Sequence, residues 1–244
     1  MIFAAAVEFL SFNYDVKNLL IINACARQGK YDEILNRVVK VPSNRYNNYV
    51  IHDVDRALYH TGQLLYNMFA FPQDVNALII PADPFESPDV SIPLSSFLFE
   101  LGLINEAELS ASDALEDVGE YPSVYKQLVL INLVKGQYEA AKLFLNKVKN
   151  DLIWDDWAEA VLKSLETDPF MANNQHIQYI RSIMINKDRV DNPFLKIEEF
   201  LLDLLDHNKK NKMAFEYLMA YYLLTNQIDK IAENTHRLDD FEYP

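Results

Sequence analysis

Apolar residues recur at helical spacing on both sides of a glycine in the middle of the chain. Between Leu94 and Val148 this pattern occurs twice, around Gly102 and Gly136, which lie 34 residues apart. After each glycine, apolar or small residues follow at steps of two, three, four and three: Ile104, Ala107, Ala111 and Ala114, then Tyr138, Ala141, Leu145 and Val148. A 34-residue period with a glycine between two amphipathic helices is typical of the tetratricopeptide (TPR) hairpin. We therefore predict two consecutive helical hairpins here.

Three more hairpins of this kind are predicted towards the ends of the chain. Gly29, Gly62 and Asn226 stand at their turns, and asparagine is the residue that best replaces glycine in a left-handed turn. The helices predicted around these turns are residues 15–28 and 31–41, 46–60 and 64–71, and 212–225 and 228–238. Pro42 and Pro72 are expected to end the second helices of the first two hairpins, because proline cannot continue a helix.

The pattern is interrupted twice. Residues 72–93 hold five of the ten prolines and an apolar patch, Val75–Ile80. So long a connection is uncommon in a compact array. We favour an ordered cover whose apolar patch packs on the helices, and a recognition loop is the alternative.

Residues 150–210 form the second interruption, where helices are predicted without a regular repeat. Their expected bounds are Ile153–Leu165, Asn173–Ile185 and Pro193–Asp206, the last with Asn192 as its cap. Trp154, Trp157 and Val161 lie three and four positions apart, a spacing that favours a buried core over a ligand cage. The acidic and aromatic tail from Leu238 is expected to fray.

Together these elements predict an all-α fold. We expect a TPR-like α–α superhelix, a right-handed solenoid of helical hairpins with ten to twelve helices. Residues 14–244 would form a single repeat domain, and residues 1–13 an N-terminal extension trimmed from a membrane segment.

The charge balance narrows the class of partner. The chain carries 36 acidic and 22 basic residues, for a net charge of −14. Such an excess repels nucleic acid and anionic lipid surfaces. We favour the interpretation that it is simply a solvated surface that keeps the protein soluble. Cys25 is the only cysteine, which excludes an internal disulfide. No run of about 20 apolar residues marks a membrane span.

The sequence contains no recognisable catalytic or cofactor-binding motif. It contains no phosphate-binding loop, dinucleotide-binding turn or nucleophile elbow. The His52-Asp53 pair resembles part of a metal phosphohydrolase site, but no second cluster supplies the remaining ligands. We therefore predict a non-enzymatic protein with no catalytic residue, no metal and no cofactor.

The remaining candidate is a groove lined by the first helix of each hairpin. Its predicted residues mix cationic, aromatic and polar side chains, which suit an extended peptide or a terminal carboxylate. The alternative is that the aromatic members belong to the core and that the charges are simply solvated. The predicted groove residues are Asn23, Arg27, His52, Arg56, Tyr59, His60, Phe99, Glu100 and Lys126.

Four segments carry a resemblance to a known family. They are TGQLLYNMFAFPQ (61–73), FELGLINEAELSASDAL (99–115), GQYEAAKLFL (136–145) and NKMAFEYLMAYYLL (211–224). The chain resembles an uncharacterised family of Bacteroidetes-type bacterial proteins in which TPR-like helices follow a multi-pass membrane region. The family has no assigned activity, so the resemblance transfers no catalytic or binding residue. This chain departs from it in lacking the membrane region, so it is either a soluble relative or starts at a trimmed Met1.

Three functions follow as hypotheses. The first is a scaffold that binds a protein or peptide partner, of unknown identity, through a concave face. The second is an extramembrane sensor or accessory domain of a membrane protein, periplasmic or cytoplasmic, at the inner membrane. The third is a small-molecule or enzymatic role, with residues 72–93 closing a pocket beside His52 and His60.

Overall fold

The computed structural model describes residues 14–79, 90–185, 196–241 and 243. The described residues form α-helices, short 3-10 helices and no strands, so the predicted all-α class is confirmed. Thirteen α-helices lie in this part of the chain, against the ten to twelve expected. They are α1 (Tyr14–Gln28), α2 (Tyr31–Val38), α3 (Asn48–His60), α4 (Leu64–Asn67), α5 (Ser91–Glu100), α6 (Ile104–Asp117), α7 (Pro122–Val134), α8 (Tyr138–Val148), α9 (Asp155–Thr167), α10 (Gln175–Ile183), α11 (Ile197–His207), α12 (Lys212–Leu224) and α13 (Ile228–Asn234).

The predicted turn residues separate the helices of each hairpin. Asn226 has a φ of +55°, which confirms its predicted left-handed conformation. Gly102 has a φ of +84°, and the backbone of Ile183 lies close to it. A Cβ atom at Gly102 would lie 2.6 Å from the carbonyl oxygen of Ile183. Glycine is therefore required there for two reasons, its dihedral angle and the space available.

The described residues divide into two compact units, and the first comprises residues 14–79 and 219–231. Within it, α1, α2 and α3 pack on one another and fully bury Ile22, Ile34 and Leu58. A 3-10 helix, Val75–Ala77, packs on α3. Ala77, Leu78 and Ile79 are buried. The predicted apolar cover is thus confirmed as far as Ile79, and residues 80–89 lie outside the described part of the chain.

The described residues of the second unit are 90–185, 196–218, 232–241 and 243. Within it, α5 and α6 form one hairpin and α7 and α8 form the next. Helix α7 also contacts α5, α6 and α10, while α9 packs on α8. The ring of Phe97 on α5 lies 5.4 Å from the ring of Tyr217 on α12, and both side chains are fully buried.

Arg181 fixes α10 against the end of α7. Its guanidinium donates hydrogen bonds to the carbonyl oxygens of Leu133 (2.6 Å) and Val134 (3.1 Å) in the last turn of α7. It also donates to the carbonyl oxygen of Phe170 (2.8 Å) and the hydroxyl of Tyr138 (3.0 Å). The bonds to Leu133 and Val134 lie in the last turn of α7, whose carbonyl groups lack the N–H partners that a continuing helix would supply.

The irregular helices begin later than predicted. Helices α9 and α10 start at Asp155 and Gln175, two residues after the predicted positions, and α11 starts at Ile197 rather than Pro193. The delay has a local cause at α10, because the side chain of Asn174 accepts a hydrogen bond from the Ile177 N–H and caps the helix. The predicted cap Asn192 and Pro193 itself lie outside the described residues.

The structure differs from two further predictions, one at the second hairpin and one at the C-terminus. Helix α4 ends at Asn67, and a 3-10 helix from Met68 to Ala70 replaces the rest of the predicted helix. The expected fraying is not seen at Phe241 and Tyr243, whose rings lie 5.0 Å and 6.3 Å from the ring of Phe215. None of the described helices is both long and apolar enough to cross a bilayer.

Candidate functional site

Helix α3 buries a charged cluster in the first unit. Asp53 is buried, and burial raises the pKa of its carboxyl to about 7 against the opposing effect of Arg56 and Arg27. Arg56 is only 6% exposed, and its guanidinium carbon lies 5.9 Å from the ring centroid of Tyr31. The Nε atom of Arg27 is buried and has no hydrogen-bond partner among the described residues. Two arginines thus face one largely desolvated carboxyl group.

A second buried carboxyl group joins α3 to the connection that follows α4. The Oδ1 atom of Asp55 accepts a hydrogen bond of 3.0 Å from the side-chain amide of Gln73. Its Oδ2 atom is buried without a hydrogen-bond partner in the described part of the chain. Burial raises the pKa of Asp55 to about 7, although the Gln73 hydrogen bond acts to lower it. The proline-rich connection is therefore anchored to α3 where it begins.

The two histidines of α3 do not share a surface. His52 is 1% exposed, whereas His60 is exposed and stacks on Tyr31 with 3.9 Å between ring centroids. An open groove of about 740 Å³ lies between α8 and α9, and neither histidine lines it. Its walls alternate lysines with acidic residues, among them the Lys149–Glu159 pair at 3.4 Å. In the described residues, no three His, Cys, Asp or Glu side chains are grouped to hold a metal ion.

Lys126 and the two tryptophans form a cation–aromatic site in the second unit. The indole rings of Trp154 and Trp157 meet edge to face, with centroids 6.4 Å apart and an interplanar angle of 77°. The Nζ atom of Lys126 lies 3.7 Å from the Trp154 centroid and 5.6 Å from the Trp157 centroid. Both tryptophans are half-buried, so the predicted core position is wrong. The indoles instead form an accessible corner, which we call the tryptophan corner.

The predicted groove residues differ in their accessibility. In the first unit, Asn23, Arg27 and Tyr59 are half-buried and His60 is exposed, whereas His52 and Arg56 are buried. In the second unit, Glu100 and Lys126 are half-buried, and Phe99 is 2% exposed with its ring 6.0 Å from that of His176. Buried side chains offer no surface to a partner, so His52, Arg56 and Phe99 do not form an accessible groove wall in this structure. The part of these residues in partner binding remains a prediction.

Sequence reasoning missed both the buried carboxyl groups and the tryptophan corner. Asp53 and Asp55 flank Val54 on α3, where every residue from Val50 to Leu58 is buried. His52 and Arg56 stand beside these two aspartates, so the local pattern of α3 predicts an exposed polar face and gives no signal of the enclosure. The corner joins residues nearly 30 positions apart on different helices, so no local pattern reveals it.

Residues 4–244 match the model of DUF6057, a family of unknown function. Because this match spans almost the whole chain, the chain belongs to that family. The expectation of an uncharacterised family is thereby confirmed. No curated protein and no solved structure shows significant similarity to the chain.

Proposed function

We propose that the chain is a non-enzymatic helical-repeat scaffold that binds a protein or peptide partner. In this proposal the hairpins stack as a TPR-like, right-handed superhelix. The first helices of the hairpins form its concave, partner-binding face.

The observation that carries the proposal is the repeated packing scheme within each unit. In the first unit, α3 contacts both helices of the preceding α1–α2 hairpin. In the second unit, α7 likewise contacts both helices of the preceding α5–α6 hairpin. Within each unit, the later hairpin therefore packs on the earlier one, and its first helix contacts the first helix of that hairpin. Repeat scaffolds build extended binding surfaces from such neighbouring first helices.

The accessible groups on these first helices support peptide binding. Arg27 on α1 and His60 on α3 supply hydrogen-bond donors, and Tyr59 adds an amphipathic aromatic ring. Extended peptides are commonly held by such groups, because donors fix the backbone or a carboxylate while aromatic rings cover side chains.

The test combines affinity capture from the native cells with paired variants. Arg56 is unsuitable, since it is buried beside Asp53 and its replacement would disturb the fold. One variant carries Asn23→Ala with His60→Ala in the first unit, and another carries Glu100→Arg in the second. The matched control is Lys142→Ala with Leu143→Ser on the second helix α8, where the Leu143 side chain is 70% exposed.

We expect the control to capture the same partner as the unaltered chain. At least one groove variant should lose about tenfold or more in recovery, equivalent to about 1.4 kcal/mol. Circular dichroism would verify that each variant is folded. Undiminished capture by both groove variants would overturn the proposal.

A further inference from the structure

We propose that the tryptophan corner is a docking site for the cationic side chain of a lysine or arginine in a basic, apolar partner segment. In the absence of a partner, Lys126 occupies the corner as an intramolecular stand-in. This inference rests on the proposed scaffold function and names the chemistry of the partner.

The geometry of the corner is that of a cation site. A cation within about 6 Å of an aromatic centroid is attracted to the face of the ring, and tryptophan gives the strongest attraction. The Nζ atom of Lys126 meets this distance for both Trp154 and Trp157, at 3.7 Å and 5.6 Å. Two indoles at a steep angle thus surround a single ammonium group. The position that Lys126 fills defines where a partner cation would bind.

The corner is held in place by the turn before α9. The Oδ1 atom of Asp151 accepts hydrogen bonds from the N–H groups of Ile153 (2.9 Å) and Trp154 (3.0 Å). The N–H of Ala158 is bonded to the carbonyl oxygen of Trp154, which fixes the first turn of the helix. The backbone that carries Trp154 is therefore ordered before any partner arrives, which lowers the entropic cost of binding.

The residues around the tryptophan corner indicate which kind of side chain lies next to the cationic residue in the partner segment. Leu152 and Ile153, which immediately precede Trp154, are 103% and 60% exposed. Two adjacent apolar side chains beside a cation site suit a segment in which a basic residue neighbours an apolar one. Asp155 and Asp156 follow at once and are exposed.

The charge of this region favours a basic partner over an acidic one. Residues 91–170 contain fourteen acidic and six basic residues, a balance of −8. A basic segment is attracted to this field, whereas phosphate groups and acidic peptides are repelled. Charge complementarity and the aromatic geometry thus point to the same occupant.

Lys126 also sets the affinity of the site, because a partner cation must displace it. An intramolecular competitor keeps the competent state at a fraction of the population and weakens apparent binding by that fraction. Removal of the Lys126 amine should therefore strengthen binding of a basic segment. A structural cation–π contact with no binding role predicts the opposite, that the Lys126→Ala variant gains nothing.

The experiment uses the only two tryptophans of the chain as reporters, since both lie in the corner. Intrinsic tryptophan fluorescence is followed while the full chain is titrated with acetyl-Gly-Leu-Lys-Leu-Gly-amide, to about 10 mM, the range of weak single-site contacts. The same peptide with glutamine in place of lysine, and tetramethylammonium chloride, serve as comparison probes. The variants are Lys126→Ala, Trp154→Leu, and the control Lys147→Ala on α8, whose lysine pairs with Glu120 at 3.4 Å.

We expect Lys126→Ala to bind the lysine peptide about tenfold more tightly than the unaltered chain, a cation–π contribution of the usual size. Tetramethylammonium should also bind this variant, and the glutamine peptide should not. Lys147→Ala should match the unaltered chain, and Trp154→Leu with Lys126→Ala should lose the gain. Equal affinity for the lysine and glutamine peptides, or no tighter binding by Lys126→Ala, overturns the inference, as does absence of binding by every variant.

Two experimental outcomes distinguish a failure of the tryptophan-corner proposal from a failure of the proposed scaffold function. If Trp154→Leu captures the cellular partner as well as the unaltered chain does, the scaffold stands and the corner is not its docking site. If neither groove variant changes capture while Lys126→Ala still gains affinity for the lysine peptide, the corner stands and the groove assignment falls.

Discussion

The carboxyl group of Asp55 lies in the interior of the first unit, where the described residues give it a single hydrogen bond, donated by Gln73 at 3.0 Å. Its pKa is raised to about 7 by burial, whereas an aspartate in an unfolded chain titrates near pH 4. Between these values the folded state binds more protons than the unfolded state, so the contribution of Asp55 to stability is fully present below about pH 4. That contribution is lost as the pH rises through about 7.

Asp55→Asn should remove this pH dependence. At pH 4 the variant should have the same free energy of unfolding as the unaltered chain. At pH 8 its free energy of unfolding should be higher by about 2–4 kcal/mol. The upper limit corresponds to a pKa difference of about three, at about 1.4 kcal/mol for each pKa unit. Urea unfolding at several pH values measures the difference between the two proteins. Asp55→Ala separates titration from packing, because it should show the same change with pH from a lower starting stability. A stability difference between the Asp55→Asn variant and the unaltered chain that does not vary with pH would contradict the prediction.

Gly102 and Gly136 occupy equivalent turns but differ in their surroundings. Both have positive φ values, +84° and +73°. An added Cβ would lie 2.6 Å from the Ile183 carbonyl oxygen at Gly102, whereas at Gly136 its nearest neighbour is the Tyr138 hydroxyl at 3.7 Å. Gly136→Ala should therefore cost only the left-handed conformation, about 1 kcal/mol. Gly102→Ala should cost about 3–4 kcal/mol, because overpacking adds to that strain.

The pair tests whether close backbone approach distinguishes the two turns. Chemical denaturation of both variants gives the comparison directly, and each serves as the control of the other. Equal losses of stability would show that Ile183 can move away from the turn at little cost.

At the scale of single residues, the sequence predicted the turns better than it predicted which side chains are buried and what surrounds them. The 34-residue period located Gly102 and Gly136 because it reflects a backbone need that only a few residues meet. It could not show that Ile183, some 80 positions further on, encloses one of them. Burial of Asp53 and Asp55 likewise depends on three helices and a connection closing around α3, which no local window contains.

At the scale of elements, Arg181 on α10 donates four hydrogen bonds, two of them to the C-terminal turn of α7. A guanidinium group can direct several donors at once and is favoured at a helix C-terminus. Arg181→Lys retains the charge but not the directed donors, and should lower the free energy of unfolding by about 1–3 kcal/mol. Tyr138→Phe removes one acceptor of the four and should cost about 1 kcal/mol or less.

Hydrogen exchange would locate the loss caused by Arg181→Lys. Amide protection should fall in α10 and in the turn after α7, and should remain in the α1–α3 helices of the first unit. Uniform loss of protection along the chain would argue that Arg181 supports the fold in general rather than this junction.

Helices with a strong apolar period were predicted well, and those without one were displaced. The helices α1 to α3 lie within a few residues of their predicted bounds, and α5 to α8 form the two hairpins predicted around Gly102 and Gly136. The starts of α9 to α11 were placed too early, because capping side chains such as Asn174 decide where a helix begins and the apolar pattern does not. The predicted core role of Trp154 and Trp157 failed for a related reason. Helical spacing identifies a face but not what covers it.

At the scale of the whole molecule, charge is the property that the sequence determines most directly. A net charge of −14 opposes compaction through mutual repulsion, and dissolved salt screens that repulsion. Salt also weakens the ion pairs. However, pairs such as Lys147–Glu120 and Lys196–Glu199 are more than half exposed, and exposed pairs contribute little. Repulsion should therefore dominate the response to salt.

We expect the melting temperature to rise by a few degrees, about 2–5 °C, between about 10 and 200 mM sodium chloride, since roughly 1 kcal/mol shifts a domain of this size by 2–4 °C. A matched variant with Glu116→Lys and Asp117→Lys, two exposed positions at the end of α6, reduces the net charge from −14 to −10. Its rise in melting temperature over the same salt range should be smaller, even if the new lysines raise its melting temperature at low salt through the helix dipole. Calorimetric scans of both proteins measure the two increments. A melting temperature that falls with salt would mean that ion pairs outweigh repulsion, and equal increments in the two proteins would mean that net charge is not the cause.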